Sequence, residues 1–111
     1  MEAALKAIAE PRRREILRLV WDAERSAGDI ASHFDVSRPA ISQHLTVLRT
    51  AGLVTERRAG ARRLYRADRD ALEELQADLQ AFWTGSLAAL RDEVEAEEGR
   101  RRGRGNADRQ R

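Results

Sequence analysis

The chain has no cysteine and only two histidines, His33 and His44. Without a thiol it cannot form a disulfide, a thiolate metal site or a thiol-based redox switch. Two histidines are too few for a multi-histidine metal site within one chain. The sequence therefore predicts no metal and no other cofactor.

Long apolar segments are also missing from the 111 residues. There is no run of about 18 apolar residues that could span a bilayer, and the opening Met-Glu-Ala-Ala-Leu does not resemble a secretory signal. We therefore expect a soluble, cytoplasmic protein with one small domain. An enzyme is not expected, because the sequence shows no nucleophile–base arrangement and no phosphate-binding glycine loop.

Basic residues are concentrated in two segments, although the formal net charge is only +2. Residues 37–66 contain seven arginines and one acidic residue, whereas residues 67–98 contain ten acidic residues and two arginines. Residues 99–111 contain six arginines and one aspartate. A basic block beside an acidic one is expected where one part of a protein approaches phosphate groups and the other does not. The charge pattern therefore predicts binding to nucleic acid.

Three short helices are predicted in the first third of the chain. The first ends at Glu10, because the residue before a proline disfavours helical geometry. The second covers residues 12–22 and has an apolar face that includes Trp21. The third begins after Ser26, which forms a capping box with Asp29.

A fourth helix is predicted between an N-cap at Ser37 and a stop at Gly52. Its inward residues are Ile41, Leu45 and Leu48. Its outward residues are mostly short and polar: Arg38, Pro39, Ser42, Gln43 and Thr46. Short side chains let a helix backbone sit deep in a DNA major groove, so the third and fourth helices fit a helix-turn-helix.

The segments 53–58 and 62–66 predict a β-hairpin with arginines around its tip. An isolated hairpin is only marginally stable, so Leu53 and Leu64 should anchor it on the helical core while the tip reaches the phosphate backbone. The predicted fold is mostly helical with this small hairpin. Four helices, the hairpin and a long fifth helix make a winged helix-turn-helix.

Apolar residues recur at helical spacing from Leu72 to Val94. So small a domain cannot bury a stripe of this length, which predicts dimerisation. Residues 1–98 are expected to form the DNA-binding and dimerisation domain. Residues 99–111 lack apolar residues that could pack and are expected to form a disordered basic tail.

The order of these motifs resembles winged-helix repressors of the ArsR/SmtB type. The matching segments are residues 9–17, 27–31, 36–45 and 47–54, followed by the basic hairpin. The resemblance implies a homodimer that binds double-stranded DNA at an inverted-repeat operator, with its first and last helices paired across a two-fold axis. The implied dimer interface contains Leu5, Ile8, Leu79, Phe82, Trp83, Leu87, Leu90 and Val94.

Metal-sensing members of this family carry a Cys-x-Cys motif in the third helix, where this chain has Ser26-Ala-Gly-Asp29. Residues 68–98 contain no histidine, so a metal site on the last helix is not expected either. The chain is more similar to members without metal ligands, whose long last helix bears a pair like Phe82-Trp83. No small-molecule effector can be predicted from the sequence.

By position, the resemblance implies base contacts from Arg38, Pro39, Ser42 and Gln43. Contacts to the DNA backbone are expected from Ser37, Thr46, Arg58, Arg62, Arg63 and Tyr65. The alternative is a protein-interaction module whose long last helix binds another protein. That alternative predicts a neutral hairpin, so the arginines at the tip favour DNA.

Overall fold

The computed structural model describes residues 1–109, with side chains described through residue 103. The helices are α1 (Glu2–Ala9), α2 (Pro11–Leu19), α3 (Ala27–Ala31), α4 (Arg38–Thr50) and α5 (Arg69–Arg109), and the strands are β1 (Arg25–Ser26), β2 (Val54–Ala59) and β3 (Arg62–Ala67). The chain divides into two compact units, Met1–Gln76 and the remainder of α5. The first unit contains the four predicted short helices, the hairpin and the start of α5.

The sheet has three strands, in the order β1-β3-β2, where the sequence predicted a hairpin alone. The added strand β1 pairs with β3 through Arg25 opposite Tyr65 and Ser26 opposite Leu64. A strand of two residues is too short to show the alternating pattern that reveals strands in a sequence. Ser26 also caps α3, since its Oγ accepts the Asp29 N–H at 3.1 Å. The hairpin of β2 and β3, here called the wing, is therefore joined at its base directly to the start of the helix-turn-helix.

The junction between α1 and α2 is held by two arginines. The last four carbonyls of a helix have no partner within it, and in α1 these belong to residues 6–9. The Arg13 guanidinium donates to the carbonyls of Lys6 and Ala7 at 3.1 and 2.6 Å. The Arg14 guanidinium donates to those of Ile8 and Ala9 at 2.7 and 3.1 Å. All four carbonyls are therefore satisfied by the helix that follows.

Both ends of α4 form as the sequence predicts. The Ser37 Oγ accepts the Ala40 N–H at 3.3 Å. At the other end Gly52 has φ = +79°, its N–H donates to the Arg49 carbonyl, and the Leu53 N–H donates to the Leu48 carbonyl, both at 2.9 Å. This pair of bonds is a Schellman motif. The motif requires a positive φ at the residue after the helix, and glycine adopts such a φ without steric cost.

The core of the first unit gathers apolar residues from every helix and from the wing. The buried set is Ala7, Ile16, Leu17, Val20, Ile30, Ile41, Leu45, Leu48, Leu53, Val54, Ala67 and Leu75. Trp21, which the sequence placed on the apolar face of the second helix, lies outside this core with 37% of its surface exposed. The reason is that α2 ends at Leu19, before Trp21 completes that face. Its ring instead lies 5.3 Å from the Arg69 guanidinium, which donates to the Trp21 carbonyl and pairs with Asp22.

Helix α5 continues to Arg109, which differs from the disordered tail expected from residue 99. Within this segment Glu97 pairs with Arg100 and Arg101, and Glu98 pairs with Arg102, at spacings of three and four residues. Such pairs support a helix by a few tenths of a kcal/mol each, roughly 0.2–0.5. Residues 110 and 111 of the predicted tail lie outside the described residues. No helix in the described part of the chain is long and apolar enough to cross a membrane.

Candidate nucleic-acid interface

The outer face of α4 consists of two parallel strips of exposed residues. One strip is Arg38, Ser42 and Thr46, and the other is Pro39, Gln43 and Val47, each at a spacing of four residues. On the opposite face Ile41, Leu45 and Leu48 are at most 1% exposed. The core therefore fixes the rotation of α4, and all four residues predicted to contact bases lie on its exposed side.

Val47 lies on the second strip and was not among the predicted site residues. It is 39% exposed, one turn beyond Gln43 on a face where the other residues are polar or proline. Two signals in the sequence could have found it: its spacing of four from Gln43 and its absence from the predicted core face of the helix. An exposed aliphatic group at this place suits contact with a thymine methyl group.

Two predicted backbone contacts already use their hydroxyl groups within α4. The Ser37 Oγ accepts the Ala40 N–H and keeps its own proton available. The Thr46 hydroxyl donates its proton to the Ser42 carbonyl at 3.0 Å. Because a hydroxyl has one proton, Thr46 can donate to a phosphate only after it breaks that bond, whereas Ser37 can donate without rearrangement.

The tip of the wing is a two-residue turn at Gly60 and Ala61. Gly60 has φ = +64° and no other residue of the turn has a positive φ, which defines a type II′ turn. Arg58 and Arg63 lie directly opposite each other next to this turn, and Arg62 lies beside it on β3. All three are exposed. Like charges directly opposite in a ladder are unfavourable, so the tip is suited to an anionic partner.

Three arginines of the basic segment lie near acidic side chains. Arg57 pairs with Glu24 at 2.5 Å, so it ties β2 to the segment before β1. Arg49 at the end of α4 and Arg63 on the wing both approach Glu56, at 3.5 and 3.9 Å. Glu56, the one acid in residues 37–66, therefore links the end of α4 to the wing.

Tyr65 lies directly opposite Glu56 in the sheet and is half-buried. Burial, and then the charge of Glu56 and a hydrogen bond to it, raise the pKa of the Tyr65 hydroxyl above its ordinary value, while Arg63 and Arg49 oppose this shift. The phenol therefore stays protonated, but Glu56 competes for its proton with any phosphate. The predicted backbone contact of Tyr65 is thus shared with an internal partner.

A cavity of about 270 Å³ lies where α3, α4 and the wing meet. Arg38 comes from α4 and Arg62 and Arg63 come from β3; the remaining lining residues are Ser26, Ala27, Ala61 and Tyr65. The Arg38 guanidinium is turned back toward α3, since its Cζ lies 3.7 Å from the position that a Cβ on Gly28 would occupy. Arg38 is therefore grouped with the wing arginines, and not with the middle of the α4 strip.

The predicted dimer residues fall in both units. In the first, Leu5 and Ile8 of α1 are half-buried. In the second, Leu79 is half-buried, and Phe82, Trp83, Leu87, Leu90 and Val94 are each 54–57% exposed. The Phe82 and Trp83 rings meet edge to face with centroids 5.7 Å apart. The second unit therefore displays an apolar stripe that its own residues do not cover.

The described residues contain no group of three or more His, Cys, Asp or Glu side chains arranged to hold a metal ion. The features that the structure does bring together are an exposed helix with a short polar face, a helix that braces it, and an arginine-tipped hairpin. These features define a winged helix-turn-helix DNA-binding protein.

Comparisons with known proteins identify the family of this chain. Residues 10–56 match the model of the bacterial regulatory proteins of the arsR family. The chain is 41% identical to the HTH-type transcriptional regulator Rv2034 of Mycobacterium tuberculosis, over 86% of this chain and 90% of that protein. It is 45% identical to the transcriptional repressor SdpR of Bacillus subtilis, over 54% of this chain and 67% of that protein.

A solved homodimeric winged helix-turn-helix DNA-binding domain from Mycobacterium bovis is also similar. It shares 33% identity and a TM-score of 0.62, over 73% of this chain and 75% of that one. The chain therefore belongs to the ArsR family of bacterial transcriptional regulators. This is a family of DNA-binding regulators and not of enzymes.

Proposed function

We propose that this regulator is a homodimeric repressor that binds an inverted-repeat operator and blocks transcription by occupying it. The main support is the exposed polar face of α4 flanked by the arginine-tipped wing. In such a protein the second helix of the helix-turn-helix enters the major groove, and the wing follows the phosphate backbone. Two copies related by a two-fold axis would read two half-sites about one DNA turn apart.

The bases are read by the second strip of α4 together with Ser42. The Gln43 side chain can form two hydrogen bonds with adenine, and Ser42 can donate to or accept from either base of a pair. Pro39 and Val47 offer only van der Waals contact, which suits thymine methyl groups. Backbone contacts come from Ser37 and from the exposed wing residues Arg58, Arg62 and Arg63.

The two-fold partner is a second copy of this chain. The apolar stripe of α5 is exposed in one copy, and the similar Mycobacterium bovis domain is a homodimer. Burying a fully exposed side chain of this kind contributes about 1.5–3 kcal/mol, so covering the five partly exposed residues with a second copy favours dimerisation. We also assign Leu5 and Ile8 of α1 and Leu79 of α5 to the dimer interface.

Control of this repressor does not depend on metal. Cysteine is absent from the chain, so a soft metal would lack the thiolate ligands it prefers. Adding Zn²⁺ or arsenite at concentrations that release a metal-responsive repressor should leave the affinity for DNA unchanged. Release by either ion would contradict this part of the proposal.

Selection of bound duplexes from a random pool tests the function directly. We expect the wild-type protein to select an inverted repeat. The Gln43→Ala variant should lose its base preference at one base pair of each half-site. A good bidentate contact is worth about 1–3 kcal/mol of discrimination, or roughly five- to 150-fold. Gln76→Ala is the matched control, because Gln76 is an exposed glutamine outside α4 and the wing. Unchanged base preference in Gln43→Ala, or no enriched sequence at all, would contradict the proposal.

A further inference from the structure

We propose that the cavity between α3, α4 and the wing holds one phosphate group of the DNA backbone, and that Arg38 contacts this phosphate instead of a base. The proposal rests on the proposed function, since it concerns the same DNA complex. It assigns a single phosphodiester to a site built from both the recognition helix and the wing. It also changes the role that the resemblance implied for Arg38.

The direction of the Arg38 side chain is the first argument. Side chains on an α-helix point toward its N-terminus, and Arg38 is the first residue of α4. Its guanidinium accordingly lies off the end of the helix and against Gly28, on the side of the cavity. A base reader would extend away from the helix axis into the groove, as Ser42 and Gln43 are placed to do.

The charge around the cavity is the second argument. Three arginines line it, and no acidic residue does. Among the described residues neither Arg38 nor Arg62 forms an ion pair, and Arg63 has only the long 3.9 Å contact with Glu56. Like charges that line one cavity repel one another, so this arrangement is most favourable when an anion binds among them. Planar guanidinium groups bind phosphate oxygens with two parallel hydrogen bonds.

The hydroxyl groups and the size of the cavity fit the same ligand. The Ser26 Oγ accepts the Asp29 N–H, so its own proton remains free to donate. The Tyr65 side chain also lines the cavity, and it shares its hydroxyl proton with Glu56. At about 270 Å³ the cavity is smaller than a typical pocket for an organic ligand. A tetrahedral phosphate needs less room and uses the polar donors that are present.

A coupled substitution experiment tests the assignment. In the selected operator, each phosphate of a half-site is replaced in turn by an uncharged methylphosphonate, and the affinity of the full-length protein is measured for each duplex. Arg38→Ala and Arg62→Ala are then measured on the same set. Arg58→Ala is the matched control, because Arg58 is an exposed wing arginine that does not line the cavity.

We expect one phosphate whose neutralisation weakens wild-type binding by about ten- to 100-fold, the size of a charge-assisted hydrogen bond. At that position Arg38→Ala and Arg62→Ala should lose little further affinity, whereas Arg58→Ala should lose as much as it does on unmodified DNA. The base preference of Arg38→Ala should equal that of the wild type, and its slope of log affinity against log salt should fall by about 1.

Two results would overturn the assignment. One is relaxed base preference in Arg38→Ala, which would make Arg38 a base reader. The other is the absence of any phosphate to which Arg38 and Arg62 are both coupled, as expected if the cavity binds a free anion or none. Both results require that the wild type binds its operator, so they are distinct from a failure of the proposed function, in which no operator is found.

Discussion

Glu56 and Tyr65 are directly paired residues of β2 and β3, and their side chains interact across the wing. Arg49 from α4 and Arg63 from β3 approach the same carboxylate. Glu56 thereby joins the end of the recognition helix to the wing through three partners. An acid in the middle of a basic segment would weaken DNA binding if it were free, but here it positions the basic residues around it.

The first prediction concerns the titration of Tyr65, the one tyrosine in the chain. Burial and Glu56 raise its pKa in the folded protein, so the phenolate absorbance should appear at a pH above the usual value of about 10. A raised pKa means that the folded state holds the proton more tightly than the unfolded chain. The stability that results is complete below about pH 10 and is lost as the pH rises through the folded-state pKa.

Two variants separate the causes. Glu56→Gln should move the phenolate midpoint downward, because it removes a negative charge from beside the phenol. Tyr65→Phe should remove the part of the alkaline loss of stability that belongs to this group, as followed by urea unfolding between neutral and alkaline pH. A midpoint in the wild type at or below that of an unfolded peptide would contradict the structure.

The second prediction concerns the arginines that close α1. Arg13→Ala leaves the carbonyls of Lys6 and Ala7 without their donors and also removes a 3.4 Å contact with His44 of α4. Loss of the partner of a partly buried polar group costs about 1–3 kcal/mol. The free energy of unfolding in urea should fall by about that amount. Arg18→Ala is the control on the same helix, because the Arg18 side chain is exposed, and its effect should stay within about 0.5 kcal/mol.

The third prediction separates wing arginines by their partners. Arg58 is exposed at the tip, whereas Arg57 is engaged by Glu24 at 2.5 Å. Arg58→Ala should weaken binding to all sequences similarly and lower the salt slope by about 1. Arg57→Ala should change the slope less, because its charge is already paired. Equal slopes for the two variants, measured by titration with salt on one operator, would show that Glu24 releases Arg57 when DNA binds.

Local signals in the sequence were sufficient where one residue determines the backbone. Ser37 and Gly52 delimit α4 because a side-chain cap and a positive φ are chemical requirements of helix ends. Ile41, Leu45 and Leu48 are buried as predicted because their spacing permits only one face. The ends of β2 and β3 were predicted to within about one residue, since the turn at Gly60 fixes how the two strands pair.

Features that depend on contacts between distant segments could not be read from the sequence. Strand β1 exists because Arg25 and Ser26 meet β3, some 40 residues later. The contacts of Arg13 and Arg14 with the carbonyls of α1 depend on how α1 and α2 meet, which the spacing of these arginines does not indicate. The direction of Arg38 depends on the placement of Gly28 and the wing, which no helical period describes.

The last prediction concerns the dimer and uses the exposed stripe of α5. Leu87 is 57% exposed in one copy, so a Leu87→Asp variant should fold as a single copy but cannot form an apolar interface. Burying an unpaired carboxylate costs several kcal/mol, enough to shift the equilibrium to monomer. A monomer presents one α4, so operator affinity should fall at least tenfold while the helical content of the first unit is kept. Ala81→Asp, at an exposed position on the opposite face of the same helix, is the control. Sedimentation would show a monomer for Leu87→Asp and a dimer for the control, and a dimeric Leu87→Asp would place the interface elsewhere on the chain.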